Sequence, residues 1–210
     1  MADTKISALT AAASALAADE LPVNEAGTTK KVTLTQIMAL TGDSVQNVST
    51  SDQTISATTA YVTNSNIAVP VGKLRIGTIL KWRIAVTKSA AGVTAGCALI
   101  FKLGTLGTTG DASILTFTFG TPTGVADNAM FEVDVIIRGP LSASCIAQGM
   151  ARMTHNLAAT GFSTLPAECL AVTSSTFDAT TANLIAGITI TTTTLSVWTI
   201  KSVDAEAKNL

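Results

Sequence analysis

Residues 78–86 read TILKWRIAV. Leu80, Trp82, Ile84 and Val86 fall on one side of an extended chain, and Lys81 and Arg83 fall on the other. Strict apolar/polar alternation is the mark of a β-strand with one buried face. FEVDVII at 131–137 repeats the pattern, with Phe131, Val133, Val135 and Ile137 inward and Glu132 and Asp134 outward. ILTFTF (114–119) places Leu115, Phe117 and Phe119 together. CALIFKL (97–103), CIAQGMARM (145–153), ECLAVTS (168–174), NLIAGITI (183–190) and LSVWTIKSV (195–203) complete a set of about eight strands. Turn residues separate them: Gly104, Gly107 and Gly110; Pro122 and Gly124; Gly139 and Pro140; Asp178. No long amphipathic helix interrupts the series, so the strands must pair antiparallel. Residues 61–210 are therefore expected to form an all-β domain, a jelly-roll-like antiparallel β-sandwich, with an immunoglobulin-like sandwich as the alternative.

Composition narrows the function. Of 210 residues, 47% are hydrophobic and only 13% charged, about half the charged share of an ordinary soluble domain. Mean hydropathy is +0.45, yet no run is long and apolar enough for a membrane helix. A surface so poor in charge is poorly protected against association, so copies of the chain are expected to bury surface against one another. With a net charge of −1 the chain has no basic field for a phosphate backbone, and no nucleic-acid partner is expected. The three cysteines, Cys97, Cys145 and Cys169, form no CxxC pair. They read as small buried side chains of a protein assembled in a reducing compartment. ALTAAASALAA near the start lacks a positive leading region, since Asp3 offsets Lys5, and is not read as a signal peptide.

Two segments precede the sandwich. In residues 1–42, Leu21 and Val23 in one short run and Val32 and Leu34 in the next flank a turn at Gly27. Thr33 and Gln36 have the spacing of a capping box, ahead of Ile37, Met38 and Leu40, with Gly42 to close a short helix. A hairpin with one or two helical turns is too small to hold itself together. Residues 43–60, DSVQNVSTSDQTISATTA, keep no period and read as a linker.

Chemistry-bearing patterns are scarce. The single histidine, His155, cannot make a zinc site alone, and no GxSxG elbow presents a serine to it. It reads as a loop histidine bonded to backbone. Glu132 and Asp134 share one strand face and read as solvated surface rather than an acid/base pair. KLGTLGTTGD (102–111) lacks the GK[ST] ending of a phosphate loop and precedes a strand, so it reads as a hairpin loop. No calcium loop is present. The expectation is a non-enzymatic protein without a cofactor or metal.

The stretch KISALTAAASALAADELPVNEAGTTKKVTLTQIMAL resembles an N-terminal module of tailed-bacteriophage virion proteins. The match rests on Lys5, Ile6, Ser7 and Leu9; on Asp19, Glu20, Leu21, Pro22 and Val23; and on Gly27, Thr28, Thr29, Lys30 and Lys31. The resemblance implies that residues 1–42 dock the chain to a capsid or tail protein. GTILKWRIAVTKSAAG, KLGTLGTTGDASILTFTF and THNLAATGF are similar to C-terminal β-sandwich knobs of phage fibres, which implies a homotrimer and a virion location after assembly in the bacterial cytoplasm. Under that resemblance the small residues of SASCIAQGMA would let subunits approach closely. A short head or tail fibre or decoration protein is expected, with a host-surface glycan as the ligand if the knob serves attachment. With no β-helix repeat, a depolymerase tailspike fits less well. The alternative from another class is a stand-alone carbohydrate-binding, lectin-like module.

Overall fold

The computed structural model describes residues 20–25, 28–33, 46–90, 96–180, 182–192 and 197–210. The chain divides into two compact units, Met1–Asp43 and Ser44–Leu210. All regular structure among the described residues is antiparallel β.

In the first unit β1 (Glu20–Glu25) pairs with β2 (Thr28–Thr33). Leu21 stands opposite Val32, and Glu25 opposite Thr28. That register leaves two residues for the turn, the connection length that favours a glycine with positive φ. The turn glycine Gly27 and the helix expected beyond Thr33 lie outside the described residues.

The second unit is a sandwich. Its larger sheet runs β12 (Ala167–Thr173), β11 (Ile146–His155), β10 (Asp127–Gly139), β7 (Ile79–Lys88), β14 (Val197–Lys208) and β3 (Gln46–Ser49), with β4 (Gln53–Ser56) also on β14. The smaller sheet runs β5 (Thr59–Tyr61), β13 (Leu184–Thr191), β8 (Ala98–Gly104) and β9 (Ala112–Thr118), with β6 (Ile67–Val69) also on β13. Strands far apart in sequence pair in nested fashion, β7 with β14 and β8 with β13, which gives the jelly-roll-like character. Consecutive strands β10, β11 and β12 form a meander in one sheet, because the connections between them are short.

The alternating residues of TILKWRIAV and FEVDVII do face the core. Leu80, Trp82, Ile84, Phe131, Val133 and Val135 are all at most 1% exposed. Phe131 lies at the centre of an aromatic cluster, with ring centroids 5.3 Å from Phe119, 5.8 Å from Phe162 and 6.0 Å from Trp198. The Trp82 indole N–H is satisfied by the Ser65 carbonyl at 2.7 Å, as a buried indole requires.

Three expectations are corrected. Within the expected linker 43–60, the described residues 46–60 are not a linker: β3 and β4 add to the larger sheet and β5 to the smaller, so the segment crosses between the layers. The Gln53 amide fastens that crossing, donating to the Tyr61 carbonyl (2.7 Å) and accepting from Thr63 N (2.7 Å). Of the small residues in SASCIAQGMA, Ala147, Gly149 and Ala151 serve the core of the sandwich, while Ala143 and Ser144 are exposed. Ala147 and Ala151 are fully buried, and a Cβ on Gly149 would stand 2.6 Å from both Leu115 and Phe117. Finally, Cys169 is exposed on β12 rather than buried.

Candidate functional site

Of the docking residues read from the sequence, Glu20, Leu21, Pro22 and Val23 lie on β1 and Thr28, Thr29, Lys30 and Lys31 on β2. The register brings Val23 opposite Lys30 and Pro22 opposite Lys31, and Lys31 is exposed. Lys5, Ile6, Ser7, Leu9, Asp19 and Gly27 lie outside the described residues. The hairpin thus places an acidic-apolar run, ELPVNE, alongside a basic run, TTKKVT.

On the sandwich, the polar face of the larger sheet carries the carboxylates that the sequence singled out. Arg83 Nε lies 3.5 Å from Glu132 Oε1, and Lys81 Nζ lies 3.4 Å from Asp134 Oδ1. Each carboxylate is the direct cross-strand neighbour of its cation. A shallow depression on this face is lined by Lys81, Arg83, Glu132, Asp134, Met150 and Arg152. Beside it lies an apolar hollow between Ile79, Ile136, Met150 and Ala171. These partly exposed ion pairs hold one another in place and contribute little stability individually.

His155 ends β11, with its side chain wholly buried. Its Nδ1 lies 2.6 Å from Asp127 Oδ2, and its Nε2 lies 2.5 Å from the Leu165 carbonyl oxygen. In a Ser–His–Asp triad the second nitrogen faces a serine hydroxyl; here a backbone carbonyl occupies that position. Asp127 also accepts from Asn128 N (2.8 Å) and Phe162 N (3.2 Å). Next to it the Lys88 ammonium donates to the Ser89 (3.0 Å) and Thr123 (2.6 Å) carbonyls. Burial pulls the Lys88 ammonium below its ordinary range, and the Asp127 charge pushes it partly back. Gly161 N donates to Thr123 Oγ1 at 2.6 Å. The cluster therefore ties two loops, 119–126 and 156–166, to the end of the larger sheet. Sequence reading isolated His155 but not Asp127, which stands 28 residues away with no periodic signal to mark it.

In KLGTLGTTGD the loop amides close on the chain's own carboxylate. Leu106 N (3.0 Å) and Thr108 N (3.1 Å) donate to Asp111. Lys102 Nζ donates to the carbonyls of Thr109 and Asp111 and to Ser113 Oγ, all within 3.0 Å. An internal anion thus occupies the place a phosphate would need. Cys97 and Cys145 are buried, and burial is the main reason both thiols ionise above the ordinary range, Cys97 far above it. Among the described residues no group of three or more His, Cys, Asp or Glu is placed to hold a metal ion, and no helix is long and apolar enough to cross a membrane.

Tyr61, the chain's one tyrosine, supplies a test of this packing. Its hydroxyl is buried without a hydrogen-bond partner and lies 1.8 Å from where a Cβ on Gly187 would stand. Burial, and then the Asp111 charge, push its ionisation up to about 12, and the nearby Ser65 hydroxyl is engaged with the Ile188 backbone. An unfolded tyrosine ionises near pH 10, so the native state favours the neutral form. That contribution is present below pH ~10 and is lost as the pH rises toward ~12, an effect of about 1–2 kcal/mol once solvent screening is allowed for. The phenolate absorbance of the native protein should titrate with a midpoint near 12; a midpoint near ~10 would contradict the buried placement. Tyr61→Phe should remove this part of the alkaline loss of stability.

No protein-family model matches the chain, and no curated protein matches it in sequence.

Proposed function

We propose that the chain is a non-enzymatic structural protein of a tailed-bacteriophage virion, a short head or tail fibre or decoration protein. Residues 1–42 dock it to a capsid or tail protein. The sandwich is displayed as a homotrimeric knob, and attachment to a host-surface glycan is its proposed external role. The observation that carries this reading is the division into two unequal units, a small one containing the β1–β2 hairpin and a large sandwich with its own core. A two-stranded hairpin is marginal by itself and gains stability when seated on a partner surface, which suits a tether. The KISxL, ADELPV and GTTKKVT motifs lie in this small unit. The structural bonding of His155, Glu132 and Asp134 supports a role without catalysis.

Electron cryomicroscopy of particles carrying this chain tests the proposal. The expected result is density for the sandwich on capsomers, neck, baseplate or tail tip, arranged around three-fold axes. Particles of a phage encoding the chain that hold no copy of it would overturn the virion reading, and glycan binding by a chain absent from those particles would favour the lectin-like alternative.

A further inference from the structure

The outer face of the larger sheet is striped by charge. Cross-strand register sets Arg152, Glu132, Arg83 and Asp204 in one row across β11, β10, β7 and β14. The next row is Met150, Asp134, Lys81 and Glu206, and the one beyond it is Gln148, Ile136, Ile79 and Lys208. Read by strand, the charged residues of the first two rows are positive on β11, negative on β10, positive on β7 and negative on β14. Exposed apolar side chains accompany the charged rows: Met150 at 40% within the second, and Ile136 and Met130, each at 39%, on either side of the pair along β10.

We infer that copies of this chain meet through this face, around a rotation axis parallel to its strands at the β10–β7 seam. The inference rests on the self-association proposed above and names its surface. About such an axis β10 of one copy comes to face β7 of the next, and β11 faces β14, at the same row. Glu132 then meets Arg83, Asp134 meets Lys81, and Arg152 meets Asp204. In the third row Ile136 meets Ile79. Neighbouring strands in one sheet are already complementary, so placing the axis on their seam repeats each pairing between subunits. A two-fold axis lying in the face across the strands would set β7 on β7 and β10 on β10, charge against like charge. The pattern therefore selects cyclic assembly about an axis along the strands, and a three-fold belongs to that class. The ion pairs contribute little on a wetted single copy but set register and partner choice when water is excluded, while the isoleucine and methionine side chains supply apolar burial.

Light scattering on the full chain and on variants tests this. Ile136→Glu would set a carboxylate against Ile79 of the next copy, and Arg83→Glu would set like charges face to face. Each should weaken self-association by about 10-fold or more while leaving the fold intact by circular dichroism. The double swap Arg83→Glu with Glu132→Arg should restore association, because positions 132 and 83 still meet as opposite charges, as do Asp134 and Lys81. Thr116→Glu, exposed on β9 of the smaller sheet, should leave association unchanged. A wild-type trimer that persists in Ile136→Glu and Arg83→Glu would overturn this face and leave self-association standing. A monomeric wild type would overturn both. A wild-type dimer dissociated by the same two variants would support the face and overturn the three-fold number alone.

Discussion

Replacing Phe131 with alanine is expected to cost about 3–5 kcal/mol of folding stability. The ring is fully buried and within 6.0 Å, centroid to centroid, of three other aromatic rings from β14 and from the loops after β9 and β11. Removing it opens a cavity that Val133 and Ala129, on the same face of β10, cannot fill without shifting the strand. Edge-to-face contacts with Phe119 and Phe162 would be lost together with the buried area. Domains of this size are stable by only about 5–15 kcal/mol, so the variant should unfold at much lower denaturant with a nearly unchanged slope. A loss under ~1 kcal/mol would mean that the two sheets are not packed around this ring.

Asp127→Ala should cost a comparable amount, about 3–5 kcal/mol, for a different reason. The carboxylate is buried and serves the His155 ring and two backbone amides at once. Alanine would leave the two amides without an acceptor and His155 Nδ1 without its partner in a site closed to water, and the penalty for unsatisfied groups exceeds the worth of the bonds themselves. The site has no slack to relax: a Cβ on Gly161, which adopts φ +91°, would stand 2.0 Å from Asp127 Oδ2. Amide hydrogen exchange should accelerate first at Phe162 and along the 156–166 loop. If the loop keeps its protection in Asp127→Ala, the His155–Asp127 pair is not what fastens it.

The strands visible in the sequence were those long enough to show a period. β7, β10, β11 and β14 run ten to thirteen residues, and β8, β9, β12 and β13 seven or eight. In β7, β10, β11 and β14 alternation is set by one dry and one wet face, whereas β13 is buried on both and shows as a continuous apolar run. β3, β4, β5 and β6 have three or four residues each. Two positions per face carry no readable pattern, and their pairing is imposed by β14 and β13. The β1–β2 hairpin was legible because its turn and flanking residues are local. The charged stripes were half legible: Glu132 and Asp134 stood out on one strand, but their partnership with Arg83 and Lys81 depends on a register between strands some fifty residues apart. A separation of 28 residues likewise hid Asp127 from His155. Gly149 looked like a place for another subunit, and only the packing of Leu115 and Phe117 shows what fills it.

The docking role of the first unit is the centre of the functional proposal, and one measurement bears on it most directly. Particles would be assembled in the presence of either the full chain or a version lacking residues 1–42, and the copies retained per purified particle counted by quantitative mass spectrometry. Circular dichroism would first establish that the shortened chain folds. The account predicts that the full chain is retained and the shortened one, though folded, is lost from particles. Retention of the folded, shortened chain at the full-length copy number would contradict it.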